Sequence, residues 1–145
     1  MSRVNRSAEQ ERALRSRIMS AVRHEGTAPE LAVRSRLHRM GLRFRLHAQL
    51  PGRPDIVLPR HRWAIFVHGC FWHRHHGCSL ASMPSSNVAF WRDKFDRNIA
   101  RDARVVRELR SLGWRVSVIW ECETRDRAHL DRRLKKLVPP SGLRR

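Results

Sequence analysis

Asp55-Ile-Val-Leu-Pro-Arg-His-Arg-Trp-Ala-Ile-Phe-Val67 decides the fold of this 145-residue chain. Asp55–Leu58 is β-branched and strand-like, and Trp63–Val67 is an unbroken apolar strand. Pro59-Arg-His-Arg62 between them has the composition of a hairpin turn. Pairing Leu58 with Trp63 sets Asp55 opposite Phe66, with Val67 diagonal to it.

Working outward, Thr27-Ala-Pro-Glu30 reads as a helix start, with Thr27 as N-cap and Glu30 in capping-box position. That helix runs to Met40 and stops at Gly41. Leu42–Leu46 alternates and reads as a half-buried strand. Leu50-Pro-Gly-Arg-Pro54 is a rigid loop. A long helix is expected over 88–111, from Asn87 as N-cap to a stop at Gly113. Trp114–Trp120 is another strand, and Asp126–Val138 a last helix on Leu130, Leu134 and Leu137. The order is α-β-β-β-α-β-α, an α/β chain with a mixed β-sheet flanked by helices. Residues 1–23 form a basic arm, 24–138 a single domain, and 139–145 a frayed tail.

Charge sets the class of partner. Lys and Arg number 31 against 13 Asp and Glu, a net charge of +18, and such a field attracts polyanions through counterion release. Nucleic acid fits better than a membrane surface, because no long helix pairs a basic face with a wide exposed apolar one. No apolar run is long enough to span a bilayer and no signal peptide is visible. We therefore expect a cytoplasmic, nucleoid-associated protein without membrane partners, whose three cysteines stay reduced.

Two of those cysteines, and four of nine histidines, crowd into Phe66–Cys78. Cys70, His75, Cys78 and Cys122 form a Cys₃His set suited to one structural zinc, with His73 and His76 as alternative nitrogen donors. A closed four-ligand shell leaves no place for substrate. Asp55 can hold Mg²⁺ against phosphate oxygens, with the backbone carbonyls of 66–68 close by. His68 and His73 flank the same strand end, in reach of a water. Glu30 points toward the side of Val33 and Leu37, either as a cap or as a further acid of the site. Trp91, Lys94, Phe95 and Asn98 recur at helical spacing, with Phe95 the natural core residue.

Leu50-Pro-Gly-Arg-Pro-Asp55, Phe66-Val-His-Gly-Cys-Phe-Trp-His73 and Gly113-Trp-Arg-Val…Trp120-Glu-Cys122 resemble the Vsr very-short-patch-repair endonucleases over about residues 14–138. The resemblance implies a restriction-endonuclease-like fold and a Mg²⁺-dependent nick in double-stranded DNA, 5′ to the thymine of a T:G mismatch left by deaminated 5-methylcytosine. It implies Asp55 as metal carboxylate, the Val67 carbonyl as second ligand, and His73 as base, assisted by His68 and Glu30. It matches Cys70, His75, Cys78 and Cys122 to structural zinc ligands. Phe71, Trp72 and Trp91 would wedge into the duplex with Met19 from the arm, and Lys94 and Asn98 would contact the mismatch. Mismatch-repair proteins would be further partners of a monomer. The chain has Phe66-Val-His68 where many related nucleases carry Asp/Glu-x-Lys, so histidine must supply the chemistry. Some members have Thr at the position of Val67, where only the backbone oxygen matters. One residue more than the family pattern separates His75 from Cys78. Two other readings stay open: a zinc-stabilised DNA-binding module without catalysis, and a same-fold restriction or lesion-directed nuclease.

Overall fold

The computed structural model describes residues 26–138, together with Gln10 and Arg12. The rest of the expected arm, Met19 included, and the tail from 139 lie outside the described residues. The elements are α1 (Ala28–Arg39), β1 (Arg45–Leu46), β2 (Ile56–Leu58), β3 (Trp63–His68), α2 (Val88–Ser111), β4 (Arg115–Trp120) and α3 (Arg127–Leu137). The strands form one sheet in the order β1-β2-β3-β4. β1/β2 and β2/β3 are antiparallel and β3/β4 is parallel. This is the mixed α/β sheet flanked by helices that the sequence predicts.

The hairpin register is the expected one. Leu58 pairs with Trp63 and Ile56 with Ile65, which carries Asp55 to the level of Phe66. The turn is a short 3-10 segment, Pro59–His61, closed by Arg62 at a left-handed φ of 46°. Arg62 also anchors the hairpin to the far end of α2, donating to the Leu112 carbonyl at 2.8 Å and the Gly113 carbonyl at 3.4 Å. Its own carbonyl accepts the Arg115 amide at 2.8 Å.

Alternate residues of β3 feed two cores. Trp63 and Ile65 join Val33 and Leu37 of α1 and Leu130 and Leu134 of α3 on one face of the sheet. Ala64 and Phe66 meet Leu109, Val105 and Val116 on the other, under α2. Both faces of β3 are therefore covered, which explains its lack of alternation. Inside the first core the Trp63 indole N–H donates to Ser117 Oγ at 2.8 Å.

One expected element shortens. The predicted strand over Leu42–Leu46 survives only as Arg45–Leu46, because Leu42 belongs to the helix stop. Gly41 takes φ 75° and the Leu42 amide donates to the Leu37 carbonyl at 3.1 Å, the bond that closes a Schellman motif. Leu42 is buried in the α1 core, while Leu46 is 40% exposed, so the alternation never becomes one buried face. The same stop ends α2, where Trp114 donates to Leu109 at 3.0 Å and β4 starts one residue late. Asn87 does precede α2, but in a left-handed conformation without a side-chain cap bond. Thr27 and Asp126 cap α1 and α3 through their side chains, as their residue types favour. No described helix is long and apolar enough to cross a membrane.

Candidate active site

Asp55 enters the site from a tight loop. Gly52 and Arg53 are both left-handed, at φ 71° and 46°, and the Arg53 amide closes the turn on the Leu50 carbonyl at 2.9 Å. Only glycine fits at 52, since a Cβ there would lie 2.3 Å from Val105 Cγ1 of α2. Past this turn Pro54 is fully buried, and the Asp55 carboxylate accepts the Val67 amide at 2.7 Å. The diagonal Asp55–Val67 relationship expected from the register is therefore realised through a hydrogen bond. Burial pushes the Asp55 carboxyl up to about 6; the Val67 bond opposes that and the nearby Glu30 charge adds to it.

Glu30 keeps a capping contact and also lies near Asp55. It is 3% exposed, and its Oε2 accepts the Gly26 amide at 3.0 Å and Arg34 Nη2 at 3.1 Å. The capping arm has moved one residue upstream of Thr27, which leaves the carboxylate close enough to Asp55 to be felt there. Two neighbouring carboxylates of hard oxygen, beside the backbone at Val67, fit a Mg²⁺-type cation.

On the other side of the strand end, His68 and His73 stack with ring centroids 3.8 Å apart and planes 6° from parallel. His73 Nδ1 lies 2.6 Å from Asp102 Oδ2 on α2. A proton held between Nδ1 and Asp102 leaves Nε2 as the basic nitrogen, oriented as a general base requires. Burial, and then the charge of His73, push the His68 imidazole down to about 3, so His68 stays neutral at physiological pH. His68, His73 and Asp102 also place ligand atoms within 4.8 Å of one another. The short His73–Asp102 bond already occupies two of those atoms.

Asp102 is not among the candidate residues of the sequence. The signal was there: Trp91, Phe95, Asn98, Asp102, Val105 and Leu109 fall on one face of α2, and an acid on that inward face requires a partner.

Cys70, His75, Cys78 and Cys122 bring one donor atom each within 4.8 Å of the others. His75 Nδ1 is 3.6 Å from Cys70 Sγ and 3.4 Å from Cys122 Sγ. Its ring stacks on Trp120 at 4.2 Å. Of the three candidate imidazoles, His75 is the one in the cluster, while His73 turns to Asp102. Burial pushes the Cys70 thiol up to about 12, a cost that a soft cation bound by thiolate would offset. Cys122 lies two residues past β4, so the parallel β3/β4 pair carries both halves of the cluster to one sheet end. Glu121 supports it by accepting the Cys70 amide at 3.3 Å.

The aromatics form a closed group. Phe71 sits at its centre, 5.0 Å from Trp72, 5.8 Å from Trp91 and 5.2 Å from Phe95. Phe95 is the core residue expected, at 2% exposure, but Trp91 is nearly as covered at 5%. Phe71 and Trp72 are half-buried. Asn98 is buried and donates to the Trp72 carbonyl at 3.0 Å, while Lys94 lines an open cleft beside it. Arg74 staples the loop. Its guanidinium donates to the carbonyls of Phe71, Ala81 and Ser82 and lies 4.1 Å above the Phe95 ring.

Comparison with known proteins points the same way. The profile of the family described as DNA mismatch endonuclease Vsr matches residues 8–80. The chain is 50% identical over 125 residues to the type II nicking enzyme V.XorIIP of Xanthomonas oryzae, covering 86% of this chain and 91% of that one. It is 46% identical over 121 residues to the DNA mismatch endonuclease Vsr of Escherichia coli, covering 83% and 77%. It is also 39% identical over 125 residues to V.NmeAIP of Neisseria meningitidis, covering 86% and 89%. With this similarity along most of its length, the chain belongs to the DNA mismatch endonuclease Vsr family and is an endodeoxyribonuclease.

Proposed function

We propose that this endonuclease nicks duplex DNA 5′ to the thymine of a T:G mismatch, using Mg²⁺ at Asp55 and a water activated by His73. The reading rests above all on one juxtaposition. The half-buried Asp55 and buried Glu30 carboxylates and the Asp102–His73 dyad flank the same end of β3, beside a cluster of aromatic rings.

Asp55, the Val67 carbonyl and Glu30 would hold the cation. Bound there, it supplies charge stabilisation at the phosphoryl oxygens and a template for in-line attack. His73 takes a proton from the attacking water at Nε2 while Asp102 holds Nδ1–H and stabilises the imidazolium. The stacked, neutral His68 keeps the His73 ring in one orientation. Cys70, His75, Cys78 and Cys122 would hold zinc, whose role is to fix the Phe71–Trp72 loop beside the acid–base pair, in a restriction-endonuclease-like fold. Phe71, Trp72 and Trp91, with Met19 of the arm, open the duplex. Unstacking costs roughly a few kcal/mol per step and least at a mismatch, which favours T:G over paired substrates. Opening the closed aromatic group must accompany that insertion, since Trp91 starts out covered. Lys94 and Asn98 then lie where the mismatch is read.

The test is cleavage of one labelled duplex carrying T:G, T:A or another mismatch at the same site, with and without Mg²⁺. We expect a single-strand nick in the T:G duplex alone, only with the cation, and none by Asp55→Asn. Equal cleavage of T:A would replace this reading with a same-fold nuclease of another target. Binding without cleavage by the wild type would leave only a DNA-binding module.

A further inference from the structure

Outside the site, the strongest feature is a basic stripe on α2. Lys94, Arg97, Arg101 and Arg104 follow one another at spacings of three, four and three residues. At 3.6 residues per turn they share an arc of about 80°, and at 1.5 Å per residue they extend along about 15 Å. The stripe borders the inward face that carries Asn98 and Asp102. All four side chains line a single open cleft of about 410 Å³ together with Asn98.

The stripe is poorly neutralised by its own helix. Arg97 pairs with Asp93 and Arg104 with Glu108, both as exposed i,i+4 contacts, and such pairs are weak enough for a phosphate to displace. Arg101 stands immediately before Asp102 and near enough to His68 for its charge to act on that ring. The stripe starts beside Phe95, in the aromatic group, passes the level of the His73–Asp102 pair, and continues a short way beyond it. Helix α3, on the opposite face of the sheet, carries exposed Lys135 and Lys136, away from the His73–Asp102 pair.

We infer that Lys94, Arg97, Arg101 and Arg104 form a backbone track for the DNA strand being cut, with Arg101 on a phosphate next to the scissile one. This rests on the endonuclease reading and adds the path of the strand to it. One strand advances 3.4 Å per phosphate along the duplex axis, so 15 Å of stripe spans about four phosphates. The contacts are charge-assisted bonds to non-bridging oxygens. Those of Arg97, Arg101 and Arg104 carry register and no sequence information, while Lys94, at the head of the track, also faces the mismatch with Asn98 and the aromatic group.

The experiment measures anisotropy of labelled T:G and T:A duplexes across a salt series without added Mg²⁺. Each of Arg97→Gln, Arg101→Gln and Arg104→Gln should lower the slope of log affinity against log salt by about 0.9, on both duplexes. Arg101→Lys should restore the slope, separating charge from a folding defect. Lys135→Gln and Lys136→Gln should keep the wild-type slope. Unchanged slopes in the α2 variants, or equal losses in the α3 variants, would overturn the track. If the wild type nicks T:A as readily as T:G, the mismatch reading fails while the slopes still decide the track. If nicking is T:G-specific and the α2 slopes are unchanged, the track alone fails.

Discussion

The Asp102 carboxylate reaches Nδ1 of His73 at 2.6 Å across 29 residues of chain, joining the middle of α2 to the loop that follows β3. A residue that positions a base should act only through that base. His73→Ala is expected to slow nicking roughly 10²- to 10⁴-fold, the range for a general base. Asp102→Asn should lower kcat by a smaller factor with KM unchanged. The double variant should be no slower than His73→Ala alone, and multiplying losses in single-turnover assays would show that Asp102 works elsewhere.

Gly52 offers a test of how the Asp55 loop is seated. Gly52→Ala must place a methyl against Val105 and keep a left-handed backbone, which alone costs roughly 1–2 kcal/mol. The melting temperature should fall, and Val105→Ala in that background should recover part of the loss by removing the clash. Additive losses in thermal melts would mean the loop and helix do not press on each other.

Metal content and thiol reactivity examine the Cys₃His cluster together. Purified protein should hold about one zinc per chain, and Cys70, Cys78 and Cys122 should react with a thiol reagent only as that zinc is released. Cys122→Ser should lower the melting temperature, because it unfastens the end of β4 from the loop. Three immediately reactive thiols in a metal-free, stable protein would dismiss the cluster as a zinc site.

The Arg36–Asp131 pair joins α1 to α3 through two bonds of 2.6 and 2.7 Å. Its hydrogen bonds to Arg36 hold the Asp131 carboxyl below its ordinary value. The sign follows from that depression: the contribution to stability is present above the unfolded carboxyl range, near pH 4, and fades as pH falls through the lowered value. Asp131→Asn should therefore melt earlier than wild type at pH 7, with the gap closing in strong acid. A gap independent of pH would assign the loss to packing.

Much of this architecture could be read from the chain because local chemistry dictates it. The Leu58–Trp63 pairing follows from an apolar hairpin around a proline turn, and the α1 and α3 starts follow from Thr27 and Asp126. What stayed hidden depended on distant partners. Asp102 reads locally as one more charge on a basic helix until the inward face of α2 is laid out. The Leu42–Leu46 alternation misled because Leu42 has its amide committed to the helix behind it. Trp91 and Phe71 announce aromatic bulk in the sequence. Their closure into one group depends on Arg74 and Asn98, whose hydrogen bonds to carbonyls of the 69–87 loop leave no local sequence pattern.

One helix contacts the aromatic group, the acid–base pair and the loop that carries Asp55. Along α2, Trp91 and Phe95 pack the aromatic group, Asn98 holds the Trp72 carbonyl, Asp102 holds His73, and Val105 backs the loop that delivers Asp55. From 91 to 105 that is about 21 Å along the helix. On the proposed function, duplex opening and phosphodiester hydrolysis would share a single ruler. A kink anywhere between those positions would put the two operations out of step with every individual residue intact, so in that reading the helix axis itself would set the enzyme's fidelity.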